Sequence, residues 1–257
     1  MTKPSVSDTF AFSKVPAVTF SFWIIKILAT TLGETGGDAL SMTLKIGYAV
    51  SSLILLGFFA VTLAAQVASR RYHPVFYWTV VVATTTVGTT TSDYFDRTLG
   101  LGYVKSSAML FCLVIIVLVV WHFTTGKIQT DHVTTRSNET FYWLTILVSN
   151  TLGTALGDFT ATDLGLGFVR GAMVFTALIA LVAAAYFFTR LPHSVLFWSA
   201  YVLTRPLGAT LGDTLTKPRV EGGLALGRFA ASATIAVAMV ILIALTSRGR
   251  RAATAET

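Results

Sequence analysis

The sequence predicts an all-α integral membrane protein with eight transmembrane helices, arranged as four tandem parallel two-helix repeats. Three observations predict it. Four long runs carry no formal charge, a tryptophan-anchored pattern recurs four times, and the basic residues collect on one side of the units that this pattern defines.

Only 12% of the 257 residues are charged and 54% are hydrophobic, where a soluble domain carries about 25% charged residues. Uncharged runs of 24, 21, 19 and 19 residues separate Lys45 from Arg70, Lys105 from Lys127, Arg170 from Arg190, and Arg228 from Arg248. A bilayer core about 30 Å thick takes about 20 such residues as a helix, because lipid offers backbone amides no partners. A shorter apolar stretch precedes each run: Val18 to Leu32, Pro74 to Ser92, Phe141 to Gly157, and Val195 to Thr204 with its continuation beyond Arg205. Lys26, Arg205 or a Gly/Thr-rich segment interrupts these stretches, yet together they raise the expected spans from four to eight. The run lengths disfavour a soluble bundle, and no cleavable signal peptide is expected ahead of the first span.

The repeat fixes the register of the units. Aromatic-tryptophan pairs occur at Phe22-Trp23, Tyr77-Trp78, Tyr142-Trp143 and Phe197-Trp198. Ten residues after each tryptophan stands a glycine (Gly33, Gly88, Gly153, Gly208), and fifteen residues after it an aspartate (Asp38, Asp93, Asp158, Asp213). Trp121 alone lacks the pattern. A second block, Leu99-Gly-Leu-Gly-Tyr-Val-Lys105, matches Leu164-Gly-Leu-Gly-Phe-Val-Arg170, is thinner at Ile46-Gly47-Tyr48, and follows about five inserted residues at Leu226-Gly227. The chain thus divides into a cytoplasmic amino-terminal segment 1–17, repeat 1 at 18–71, repeat 2 at 72–126, a polar linker 127–139, repeat 3 at 140–191, repeat 4 at 192–247 and a basic cytoplasmic tail 248–257.

This register resembles a bacterial family known as a membrane repeat of unknown function, in which four tandem units each hold two transmembrane segments and a characteristic tryptophan. The resemblance runs from about Val18 to Ser247. It implies the fold and the copy number and brings no activity with it.

Two spans return the chain to its starting side, so the repeats run parallel. The segments between units hold ten basic residues against four acids, and the opposite side holds nine against eight. The positive-inside rule therefore places both termini in the cytoplasm of a plasma (inner) membrane protein. Trp23, Trp78, Trp143 and Trp198 become interface anchors on the cytoplasmic side. At 1.5 Å per residue the glycines lie about 15 Å deeper and the aspartates about 22 Å deeper, all four at one level. A glycine at the midplane marks close helix packing or a helix break. Pro206, inside the fourth stretch, is expected to interrupt its helix.

Carboxylates, hydroxyls and exposed carbonyls are ligands for hard cations, so Asp38, Asp93, Asp158, Asp213 and Glu34 form the candidate metal set. Charged groups at membrane depth mark ion and proton pathways. Lys26, Lys105, Arg170 and Arg205 are the candidate charge-compensating residues. The alternative is structural: the aspartates cap the second helices or pair with Lys45, Lys105, Arg170 and Arg228. The threonines from Thr84 to Thr91 read as helix-to-helix contacts ahead of ligands.

No phosphate-binding loop supports ATP-driven pumping, the single Cys112 forms no intrachain disulfide, and His73, His122, His132 and His193 read as interfacial. The charge of +7 follows membrane topology, so no nucleic-acid partner is expected. The best reading is a non-enzymatic secondary carrier of a small ion, with manganese export against protons as the specific expectation. No permanently bound cofactor is implied. The partners are the bilayer and the ion, and a homo-oligomer is compatible with the sequence. A non-transporting scaffold or sensor subunit is the alternative.

Overall fold

The computed structural model describes residues 15–69, 72–126, 128 and 135–255. Of the charges counted between units, Lys3, Asp8, Lys14, Arg70, Arg71, Lys127, Asp131 and Glu256 lie outside these residues, as do His132 and most of segment 1–17 and of the linker.

Among the described residues the fold is entirely helical. Eight α-helices follow one another: α1 Phe20–Asp38, α2 Tyr48–Ala68, α3 Pro74–Asp93, α4 Gly102–Thr125, α5 Arg136–Asp158, α6 Gly167–Phe188, α7 His193–Thr216 and α8 Arg228–Ala255. The basic tail continues α8 as far as Ala255. The even-numbered helices are the four that are long and apolar enough to cross a membrane. Their apolar faces, with Leu53, Phe111, Leu181 and Val240, point outward. The odd-numbered helices form an inner bundle in which each touches the next, α1 on α3, α3 on α5, α5 on α7 and α7 back on α1.

The two helices of one repeat do not pack as a hairpin. Each outer helix crosses to the next unit: α2 lies on α3, α4 on α5, α6 on α7, and α8 closes the circle on α1. A repeat alone would leave its second helix without a partner, so all four are needed to complete one core.

The Leu-Gly-x-Gly block explains the crossing. Gly100, Gly102, Gly165 and Gly167 have φ between 66° and 73°, a left-handed conformation that turns the chain from inner to outer helix. Lys45 and Ala225 take the same conformation, each with φ 56°, at the corresponding turns of repeats 1 and 4. Before the turn, repeats 1 to 3 widen into a five-residue π-helical turn, at Ala39–Thr43, Tyr94–Thr98 and Phe159–Asp163. Repeat 4 ends its helix at Thr216 instead, and its inserted residues fold back through Leu224 N–H to Thr214 O and Ala225 N–H to Lys217 O.

The tryptophan-plus-ten glycines are points of close packing and not of helix breakage. Each faces the residue seven positions after the tryptophan of the next repeat: Gly33 meets Thr85, Gly88 meets Asn150, Gly153 meets Arg205, and Gly208 meets Thr30. The absent side chains let backbone acceptors approach threonine hydroxyls. Thr85 donates to Ala29 O at 3.1 Å, and Thr30 donates to Thr204 O at 3.1 Å. The threonine run is thus helix-to-helix contact. Pro206 does not break α7, which runs unbroken from His193 to Thr216, and its ring packs against Gly153.

A methyl group on Gly33 or Gly208 would overlap the facing threonine, whereas one on Gly57 would meet nothing within 4 Å. Gly33→Ala and Gly208→Ala should therefore cost about 1–3 kcal/mol, and Gly57→Ala should be neutral or stabilising by about 0.5–1 kcal/mol. Thermal unfolding in detergent measures the difference, and equal tolerance at all three positions would contradict the packing.

Candidate functional site

Counting from each tryptophan, positions 3, 7, 11 and 15 recur every four residues and so face one way on a helix. In this fold they face the bundle axis, and they build four layers. The layer three residues on holds Lys26, Val81, Ile146 and Tyr201; all are fully buried. Beyond it lie Thr30, Thr85, Asn150 and Arg205, then Glu34, Thr89, Thr154 and Ala209, then the four aspartates. Each of these side chains is buried, so the axis is a packed core without a continuous channel.

The aromatic pairs seal the first end. Phe22 packs on Trp78 with ring centroids 5.6 Å apart, Tyr77 on Trp143 at 5.7 Å, Tyr142 on Trp198 at 5.8 Å, and Phe197 on Trp23 at 5.8 Å. Trp78 and Trp143 are buried in this ring, so at least two of the expected interface anchors serve as contacts between repeats. Lys26 stands just beneath, its Nζ 4.1 Å from the Tyr201 ring centre and without a hydrogen bond.

Arg205 occupies the middle of the bundle. Its Nη2 donates to Glu34 Oε2 at 3.0 Å and to the hydroxyls of Thr89 and Thr154. One guanidinium therefore touches the other three repeats at the level where its own repeat has Ala209. Its acid partner is Glu34, so Arg205 does compensate a buried carboxylate, that of repeat 1.

The aspartates fall into two clasped pairs. Arg97 reaches Asp93 at 3.0 Å and Asp158 at 3.7 Å. Lys217 reaches Asp38 and Asp213, each at 3.3 Å, while Arg228 lies 3.4 Å from Asp38. Arg97 and Lys217 both stand nineteen residues after their tryptophans, where repeats 1 and 3 have Met42 and Thr162. Burial opposes the charge on Lys217, but the Asp213 and Asp38 carboxylates outweigh it and hold its ammonium above the usual lysine range. Glu34, Asp38 and Asp213 bring one carboxylate oxygen each to within 4.8 Å of one another. A cavity of about 480 Å³ opens over this end, lined by Arg97, Asp158, Asp213, Lys217 and Glu221 among others.

Several expected roles change. Lys105 and Arg170 are exposed, and no ion pair joins them or Lys45 to the aspartates. Arg228 is the one residue of that set that pairs, with Asp38. The outer helices α2, α4 and α6 begin at Gly47, Leu101 and Leu166 without a side-chain cap, so none of the aspartates caps them. Arg97 and Lys217 escaped the sequence reading, although their shared offset from the tryptophan was available as a signal.

A family model described as Repeat of Unknown Function (DUF347) matches the chain four times, at residues 21–72, 76–127, 141–191 and 196–252. No curated protein and no solved structure matches it.

Removing the central guanidinium leaves Glu34 buried and unpaired, a change that costs about 3–5 kcal/mol in proteins generally. Arg205→Met should lower the detergent melting temperature strongly, and adding Glu34→Gln should recover much of the loss. A double variant no more stable than Arg205→Met would show that packing, and not the ion pair, sets the cost.

Proposed function

Taking as premise that the chain belongs to the family of the Repeat of Unknown Function (DUF347), of which it carries four copies, we propose that it is a secondary membrane transporter of a small ion. In this reading all eight helices cross the bilayer. The inner helices of 19 to 24 residues are about 28–36 Å long at 1.5 Å per residue, enough for a core of about 30 Å. The outer helices shield their polar faces from lipid. Both termini are cytoplasmic, the aromatic ring faces the cytoplasm, and the cavity opens on the far side of a plasma (inner) membrane.

One observation carries the proposal. Four parallel repeats deliver four carboxylates to a single buried layer that lies under an open cavity and behind a sealed aromatic end. A carrier needs this asymmetry, because a site reached from both faces at once would leak. Intramembrane carboxylates are costly, and ion pathways are where they are usually found. With oxygen ligands only, the cargo class is a hard divalent cation such as manganese, exported in exchange for protons.

The scaffold reading keeps one observation in its favour: Arg97 and Lys217 each hold two aspartates together, as a static clasp would. Flux into liposomes separates the two. Asp→Asn at positions 38, 93, 158 and 213 should reduce cation flux per folded protein by about tenfold or more in at least one variant, since asparagine keeps shape but loses charge. Wild-type flux in all four would end the carrier reading and leave the clasp.

A further inference from the structure

The two aspartate pairs are not equivalent. At the seam of repeats 2 and 3, the residues one helical turn deeper than Asp93 and Asp158 are Thr89 and Thr154. Only two carboxylates meet there, and Arg97 engages both through different guanidinium nitrogens. A guanidinium fork holding two carboxylates is a rigid, permanently charged bridge. At the seam of repeats 1 and 4, the deeper residues are Glu34 and Ala209, so three carboxylates converge, and the bridge between the two aspartates is a flexible ammonium, with Arg228 on Asp38 from the rim.

We propose that the seam between repeats 1 and 4 holds a divalent-cation site built from Glu34, Asp38 and Asp213, in which the Lys217 ammonium is a tethered occupant that the metal displaces. The proposal deepens the carrier reading, on which it rests for the site's part in transport, by assigning the cargo to one seam instead of a fourfold ring.

Size, charge and mobility agree with it. Oxygens bound to one hard cation lie about 2.0–2.6 Å from it, hence up to about 5 Å from each other, and the three carboxylates offer oxygens within 4.8 Å. Asp213 is buried, and its Oδ1 accepts no hydrogen bond, although the ammonium stands 3.3 Å away. That oxygen meets the Lys217 ammonium, the group that a metal ion would replace, whereas Asp93 Oδ1, which likewise accepts no hydrogen bond, meets the Arg97 guanidinium. Three carboxylates against the Arg205 guanidinium leave two negative charges once Lys217 withdraws, or one with Arg228 counted against Asp38, so the site attracts a divalent cation. Arg228 touches Asp38 from the rim, where partial exposure weakens its pull.

Lys217 has somewhere to go. It follows the last turn of α7 with extended backbone, φ −70° and ψ 155°. Its side chain borders the cavity, which Asp158 and Glu221 also line. Glu34 is held in place from the other side by Arg205, so the deepest ligand stays fixed while the outermost partner exchanges.

Manganese binding to the purified full-length chain in detergent, read from loss of the free-ion electron paramagnetic resonance signal, tests this without transport. One ion per chain is expected. Asp38→Asn and Asp213→Asn should weaken it by about tenfold or more, a clearly larger loss than Asp93→Asn or Asp158→Asn produces. Lys217→Gln should tighten binding by about tenfold, since the competing charge is gone. If either seam variant fails to fold, the Lys217→Gln gain still decides. Equal losses in all four asparagine variants, weaker binding in Lys217→Gln, or no binding in either wild type or Lys217→Gln would each overturn the site. Binding without flux would instead overturn the carrier reading and leave the site standing.

Discussion

Four glycines, one on each inner helix, let those helices approach until each glycine meets a side chain of the next repeat, and the rest of the molecule depends on that approach; at Gly33 and Gly208 the facing threonine donates to a carbonyl of the neighbouring helix. With a side chain at Gly33, Gly88, Gly153 or Gly208, the inner helices would stand apart. The axial layers would then open, and the long outer helices would lose the grooves they cross into. Because each glycine faces the same position of the following repeat, the contact propagates around the ring and returns from repeat 4 to repeat 1. The interlocked outer helices reinforce it, since none finds its main partner within its own unit.

Closure also decides where charge can go. A packed bundle brings Lys26, Arg205, Glu34 and four aspartates into a space with little water, where unpaired charge is costly. The chain answers with pairs that link different repeats. Arg205 fills the level where its own repeat has only Ala209, and it ties together the other three. Arg97 and Lys217 each join an aspartate of their own repeat to one of the next. The fourfold backbone therefore carries a charge pattern of lower symmetry, with repeats 2 and 4 as cation donors and the seam of repeats 1 and 4 as the most acidic point.

Much of the architecture was legible in the sequence because it rests on periodic features. The tryptophan, glycine and aspartate offsets gave the repeat and the common depth of the aspartates, and the charge-free runs gave the outer helices. Three things were not legible. That α2 packs on α3 and not on α1 depends on the left-handed turn around Gly47 and its equivalents, which a two-helix unit in sequence does not reveal. Pro206 looked like a break, yet its ring sits in the space that Gly153 leaves open. Of Lys45, Lys105, Arg170 and Arg228, which lie near the turns in sequence, Arg228 alone reaches an aspartate, while Arg97 and Lys217, one helical turn past Asp93 and Asp213, hold the two pairs together. Their offset of nineteen residues repeats in only two units, so a search for fourfold patterns passes over them.

Ring closure between the first and last repeats is the point on which the aspartate layer and the proposed seam both stand. The hydroxyls of Thr35 on α1 and Ser232 on α8 are 2.8 Å apart across that closure. Disulfide crosslinking of a Thr35→Cys, Ser232→Cys chain, with Cys112→Ser to remove the native thiol, tests it most directly. Efficient crosslinking within one chain under mild oxidation is the expected result. Absence of the crosslink, or its formation only between separate chains, would contradict a closed ring.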